Sequence, residues 1–336
     1  MKYYYQVEGD VRNNIGDVLQ GMVAKAFLPA PALVANREDL ANLDKTEPSF
    51  IIANGWYMHS FENFPPPPNV EPLYVSMHIA KSKLLADPKI RAHFKAHAPI
   101  GCRDIKTLNL FLGWGIPAYY SSCLTTTTTA RGPVNHTGEG EILLVDNVDH
   151  PVPPEVKLKL ETLLGKPLVS ISHDPPHPKG DLEAYTKEAE THMNDLLARY
   201  CKAALIITTK IHCALPCLGM GVKVMMVHPH PSEGRLAPLA EFIDIMSYEE
   251  VLKANKINIP EVRQAMLDKR RSFLSRLSTA SAKLGYNALT KPATTEFKML
   301  KLKSQLMAKV YRAGLLTAYK LGIAKEKLER VYGAGL

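Results

Sequence analysis

The chain has 336 residues, 46% hydrophobic and 22% charged, a balance that excludes an intrinsically disordered protein and suffices for two cores. Its formal net charge of +8 is concentrated at one end: nine Lys or Arg stand against three Glu between Glu296 and Tyr332, six of the eight charges. The remainder is near neutral, so no nucleic-acid partner is expected. No uncharged apolar run approaches the roughly 20 residues that span a bilayer, and MKYYYQVEGD has no apolar signal segment. Five scattered cysteines read as reduced, mostly buried thiols. A cytoplasmic location is expected, with peripheral attachment to the inner face of the membrane as a second possibility raised by the basic tail.

In chain order, DVLQGMVAKAF (17–27) has helical spacing and opens at Asn14 or Asp17. SFIIANGW reads as a buried strand ending at Asn54-Gly55, and EPLYVSMHI repeats the pattern with His78 near its C-terminal end. PPPPN (65–69) is a polyproline-like loop, since proline supplies no amide to a ladder or helix. PIGCRDIKTLNLFLGWGIPAYYSS gives a strand, a helix from about Asp104, a Gly-rich turn and a strand. The threonine run at 125–141 breaks the periodicity and is read as a domain linker. After it come the strand EILLVDN and the strand KPLVSISH with His173 just past its end. The loop DPPHPKGD, an amphipathic helix over 182–203 and a strand–helix–strand unit over 204–227 follow.

Repeated β–α alternation with apolar strands predicts an α/β fold of two domains, each a parallel sheet covered by helices, with a cleft between them. The expected ranges are 1–135 and 136–290, with a basic helical tail at 291–336. Ligands of such folds gather at the C-terminal ends of strands, where Asn54, His59, His78, Arg103, His173 and His212 fall. In the tail, apolar residues at 299, 302, 306, 310, 313 and 316 have helical spacing with lysines between them. They read as a helix packed on the body with a solvated basic face, or as a helix lying on an anionic membrane surface.

TTKIHCALPCLGMGVKVMMV (208–227) raises three chemistries. A structural zinc site takes four ligands, usually from two separated pairs, and Cys213 with Cys217 makes one C-x3-C pair. A redox pair needs C-x-x-C. Both thiols therefore read as buried small hydrophobes, and no metal is expected. Lys210 and His212 stand instead where a strand meets a helix, and a helix N-terminus favours an anion. The pair reads as an anion grip beside a titratable group, or as a histidine that caps the turn. At the parallel junction Arg103-Asp104, Asp104 suits a helix N-cap. Arg103 is either an anion clamp or half of a surface ion pair. The chain carries no GxGxxG, GK[ST], HExxH or GxSxG.

Taken in order, NNIGDVLQGMVAKAFLP, FIIANGWYMHSFENFPP with PLYVSMHI, PIGCRDIKTLNLFLGWGIPAYYSSCLTTTT and ALIITTKIHCALPCLGMGVKVMMV resemble segments of the polysaccharide pyruvyl transferase family. The resemblance covers about residues 12 to 245 and leaves the tail outside. It implies a glycosyltransferase-B-like fold of two Rossmann-like domains, the first on the acceptor side and the second on the donor side. It also implies transfer of the pyruvyl group of phosphoenolpyruvate onto sugar hydroxyls as a ketal, in polysaccharide or exopolysaccharide biosynthesis, on a glycan or its lipid-linked precursor. The family's basic-residue-x-His motif falls on Lys210, Ile211 and His212, with lysine where members commonly have arginine, and its RD motif falls on Arg103 and Asp104. In this reading His212 protonates the methylene carbon, and His59, His78 and His173 compete as the base. Lys210, Ile211, Arg103, Asp17, Asn54 and His173 are expected to bind substrate, and neither metal nor cofactor is required. Two other readings stay open: a nucleotide-sugar glycosyltransferase, for which VHPHPSEGR offers only Glu233 as a ribose ligand, and a noncatalytic glycan-binding homologue.

Overall fold

The structure is a computed structural model that describes residues 1–9, 14–146, 151–174, 181–284, 291–292, 294–323 and 327–328. The loop expected over 174–181 lies largely outside the described residues. The chain forms two compact units. One comprises Met1–Asp10, Ala24–Cys123 and Leu274–Leu336; the other comprises Val11–Val23 and Leu124–Phe273.

The first unit holds six parallel strands: β1 (Lys2–Val7), β2 (Leu33–Asn36), β3 (Ser49–Tyr57), β4 (Val70–Ile79), β5 (Ile100–Cys102) and β6 (Ala118–Tyr120). Their order is β2-β1-β3-β4-β5-β6. β3 and β4 are buried nearly end to end, as strands covered on both faces must be. Helix α1 (Ile15–Lys25) follows β1, and α2 (Pro88–Ala96) and α3 (Ile105–Gly113) follow β4 and β5. Asp104 caps α3 by accepting the Thr107 amide at 2.9 Å, as its residue type predicts.

The second unit has five parallel strands: β7 (Ile142–Asp146), β8 (Leu168–Ser172), β9 (Leu205–Thr208), β10 (Val224–His228) and β11 (Ile245–Ser247), in the order β11-β10-β9-β7-β8. Helices α4 (Pro154–Leu164), α5 (Leu182–Lys202), α6 (Ile211–Met220), α7 (Ala237–Ala240) and α8 (Tyr248–Lys253) connect or flank them. One sheet face carries a core around Leu144, Val156, Leu160, Ile207, Met225 and Val227, and on the other face Leu143, Val145, Ile206 and Met226 are fully buried as well. Two long helices, α9 (Gln264–Leu284) and α10 (Thr295–Lys320), end the described chain. Read from their own first strands, the sheets run 2-1-3-4-5-6 and 2-1-3-4-5, an order that in both reverses between the first and third strands. The crevice beyond the strand ends at such a reversal is where α/β sheets bind ligands.

The α/β class with two parallel sheets agrees with the expectation; the boundaries differ from the expected 1–135, 136–290 and 291–336. Residues 11–23 belong to the second unit, because the first turn of α1 packs on α6. Residues 124–135 also belong to it, because the expected linker begins as a packed 3-10 turn (Leu124–Thr127) with Thr125 and Thr126 fully buried. The tail returns to the first unit, where Ala308, Tyr311 and Leu315 of α10 join the core and Arg312 donates to the Gly113 carbonyl at 2.6 Å.

The 3-10 turn meets α6 at Gly219, where an added methyl would press on the Thr126 carbonyl and lie 3.1 Å from the Thr128 carbonyl oxygen. Both neighbours are backbone and cannot rotate away. Gly219→Ala is expected to destabilise the fold by about 1 to 3 kcal/mol, the range for overpacking, measured as a lower urea midpoint at unchanged slope.

Candidate active site

The site of the second unit is built at the β7/β9 reversal. The Thr208 hydroxyl donates to the Val145 carbonyl at 2.6 Å and accepts the Lys210 amide at 3.0 Å, which fixes how the chain leaves β9. Lys210 is then the N-cap of α6, with extended backbone and no capping side chain. Ile211 and His212 open the helix, both partly exposed. The helix start is thus left to a cation and to whatever anion the amides attract. The Lys210 ammonium stands 3.8 Å from Asp174, a contact too long to be a strong pair.

The first turn of α1 completes this corner. Asn14 caps it through its side chain to the Gly16 amide at 3.0 Å and through its carbonyl to the Asp17 amide at 3.0 Å. Gly16 lies against the His212 imidazole, and a methyl group there would fall 2.6 Å from Nδ1 and 2.8 Å from Cβ of His212. Two helix N-termini and one histidine therefore share a single point. Asp17, expected in the substrate site, accepts from Gln20 at 3.0 Å on this same turn and so falls in the second unit.

His173, just past β8, is 1% exposed, and neither ring nitrogen has a hydrogen-bond partner among the described residues. Its ring is nearly parallel to that of Tyr200, with centroids 6.5 Å apart. Burial, reinforced by the charges of Lys210, His212 and His192, pushes its pKa down to about 3. It is a neutral imidazole beside the basic corner.

The first unit assembles a different group. His78 Nδ1 and Asp104 Oδ2 are 2.7 Å apart, and the Thr107 hydroxyl donates to the same oxygen at 3.1 Å while accepting the Ile79 amide at 3.0 Å. Burial works against ionised Asp104. The His78 hydrogen bond and charge, the Thr107 amide and the Arg103 charge outweigh it and hold the carboxyl below its usual value. With Nδ1 committed, Nε2 of His78 is the nitrogen left for a substrate. Trp56 is tilted against this ring, with centroids 5.3 Å apart, and stacks on His59 at 6.0 Å. His59, 49% exposed, faces Glu38 at 3.5 Å, and Glu38 also accepts the His59 and Ser60 amides. Arg103 is buried, which overturns a surface ion pair with Asp104; its amide binds the Met77 carbonyl at 2.7 Å. Asn54 is buried at the β1/β3 reversal, where its carbonyl accepts from Gln6.

The expected residues thus divide into two clusters: Asp17, His173, Lys210, Ile211 and His212 in one unit, and Asn54, His59, His78 and Arg103 in the other. Sequence reasoning missed Gly16, Asp174, Glu38 and Trp56, and took Asp104 as a cap and as part of the RD motif without pairing it with His78. Gly16 carried a signal, since glycine in a helix costs about 1 kcal/mol and wants a reason. All five cysteines are buried free thiols, and among the described residues no three His, Cys, Asp or Glu side chains are grouped to hold a metal.

Gly16→Ala is expected to displace the His212 ring, read as a shift of its imidazole resonances by nuclear magnetic resonance, while leaving the far-ultraviolet circular dichroism unchanged. His173 sets a pH dependence of stability. The unfolded imidazole protonates near pH 6.5, whereas the folded one stays neutral to about pH 3. Its contribution is therefore complete above pH 6.5 and is lost as pH falls toward 3. His173→Gln should flatten the stability slope in that window by up to about 1.4 kcal/mol per pH unit, read from urea denaturation at several pH values.

A family model described as polysaccharide pyruvyl transferase matches residues 14–231, well over half of the chain and both clusters within it. No curated protein matches the chain. From Asn14 at the cap of α1 to Pro231 beyond β10, the match runs over the elements that position Gly16, His78, Asp104, Lys210 and His212, and the chain belongs to the polysaccharide pyruvyl transferase family.

Proposed function

We propose that the protein transfers the pyruvyl group of phosphoenolpyruvate onto two hydroxyls of a sugar, within a polysaccharide or its lipid-linked precursor, and releases inorganic phosphate. The observation that carries this reading is the corner where Lys210, the α6 N-terminus and the α1 first turn meet at His212. A donor bearing both a phosphate and a carboxylate needs cations and helix amides at one place. Lysine there supplies charge without the two-pronged fork of arginine, so the amides of Ile211 and its neighbours carry the directional part of recognition.

The steps follow from these groups. His212 gives a proton to the methylene carbon, which makes C2 of the donor electrophilic. A sugar hydroxyl attacks C2 and its proton passes to a base. The second hydroxyl then attacks C2 while the C–O bond to phosphate breaks, and its proton leaves with the phosphate. Of the three histidines that compete as base, His78 is the one oriented by a buried carboxylate; His59 is half exposed, and His173 is enclosed. The Trp56 face beside His78 suits the apolar side of a sugar ring. The glycosyltransferase reading draws no support from Glu233, which is engaged by Arg235 at 2.9 Å.

The test is phosphate release from phosphoenolpyruvate in the presence of candidate glycans. Wild type is expected to turn over, and His212→Ala and His78→Ala to lose about 10²- to 10⁴-fold in kcat, the usual worth of a positioned acid or base. If wild type releases no phosphate with any acceptor, and a nucleotide sugar raises its Tm, the pyruvyl-transfer reading is wrong.

A further inference from the structure

Helix α10 lies beyond the family match, which ends at residue 231, and its composition is one-sided: Glu296 is the single acid over Thr295–Lys320, against five lysines and one arginine. The helix is anchored. Phe297, Ser304 and Ala308 are buried, Tyr311 and Leu315 pack on the first unit's core, and Arg276 holds Glu296 through two contacts of 2.9 and 3.1 Å. The apolar residues picked out by sequence spacing are not the ones used. Met299, Leu302, Leu306 and Val310 are 48%, 58%, 63% and 64% exposed, and Met307 beside them is 49% exposed. Their steps of three and four residues place them along one stripe of the helix, turned away from its packed face. Lys298 and Lys309 border the stripe on one side and Lys303 on the other, all exposed.

We propose that this face of α10 docks the protein on an anionic lipid surface. The apolar stripe enters the boundary between acyl chains and headgroups, and the flanking lysines lay their stems along it with their ammonium groups at lipid phosphates. Charge decides the occupant. A second copy of α10 would set lysine rows against each other, with the one carboxylate of the helix already held by Arg276. An anionic bilayer meets both the apolar stripe and its cationic borders. Among the described residues no helix is long and apolar enough to cross a membrane, so the contact is one of lying on the surface. This inference is independent of the proposed reaction.

The experiment is sedimentation of the purified full chain with vesicles, one set of phosphatidylcholine alone and one of equimolar phosphatidylcholine and phosphatidylglycerol. Binding is expected only to the anionic vesicles, and to weaken as salt rises from about 0.1 M to about 1 M and the Debye length shrinks to about 3 Å. The triple variant Lys298→Gln, Lys303→Gln, Lys309→Gln should bind about a hundredfold more weakly, at roughly fivefold per lysine. Leu302→Asn with Leu306→Asn should abolish binding without shifting Tm, because both positions are exposed. The proposal is overturned if the wild type does not sediment with anionic vesicles, or if either variant binds as the wild type does. It is also overturned if light scattering shows a dimer that Leu302→Asn with Leu306→Asn dissociates.

Discussion

In both sheets the second strand folds to one side of the first and the third to the other, so the connections leave the first and third strands toward opposite faces. That reversal opens a crevice beyond the strand ends without removing any side chain from the core. In the second unit the crevice is pinned by the end of β9, where the Thr208 hydroxyl and the Thr209 amide both bind the Val145 carbonyl. Everything proposed for that unit depends on this pinned exit. Lys210 becomes an N-cap, α6 presents its positive end, and the first turn of α1 closes on His212 through Gly16. The His78 group hangs on a neighbouring pair instead: β4 and β5 pair at Met77 and Cys102, which brings the end of one strand beside the cap of α3.

The same side-chain type is given three settings by three degrees of burial and partnership. His173, enclosed and without a described partner, is held neutral. His78 has one nitrogen committed to a carboxylate that is itself held by Thr107, a relay that fixes the ring. His59 is half exposed, with its ring 3.5 Å from Glu38 and its backbone amide bonded to the same carboxylate. Residue type alone gives these histidines equal standing as a base; environment separates them.

Much of the fold was legible in the sequence because its signals are local. Apolar runs between turn residues announced β3 to β10, though not β1, β2 or β11, and Asp104 announced a helix start through the short reach of an N-capping carboxylate. The junctions at Arg103 and Lys210 were legible for the same reason. The unit boundaries were not, since periodicity says where a helix is and not what it packs against. α1 and α10 are helices in either reading, yet most of α1 and all of α10 join units their chain position does not suggest. The threonine run shows the converse error: a sequence without period became a buried 3-10 turn seated on a glycine.

By itself, then, the sequence determined the α/β class, the family, the strand-to-helix junctions and the charged tail, all of which follow from contacts within a few residues or from ordered motifs. Only the tertiary structure decided which histidine is oriented and which is enclosed, why Gly16 carries no side chain, and which stripe of α10 stays outside. Those properties arise from groups far apart in the chain, where hydrogen-bond reach and excluded volume act on positions that no local pattern records.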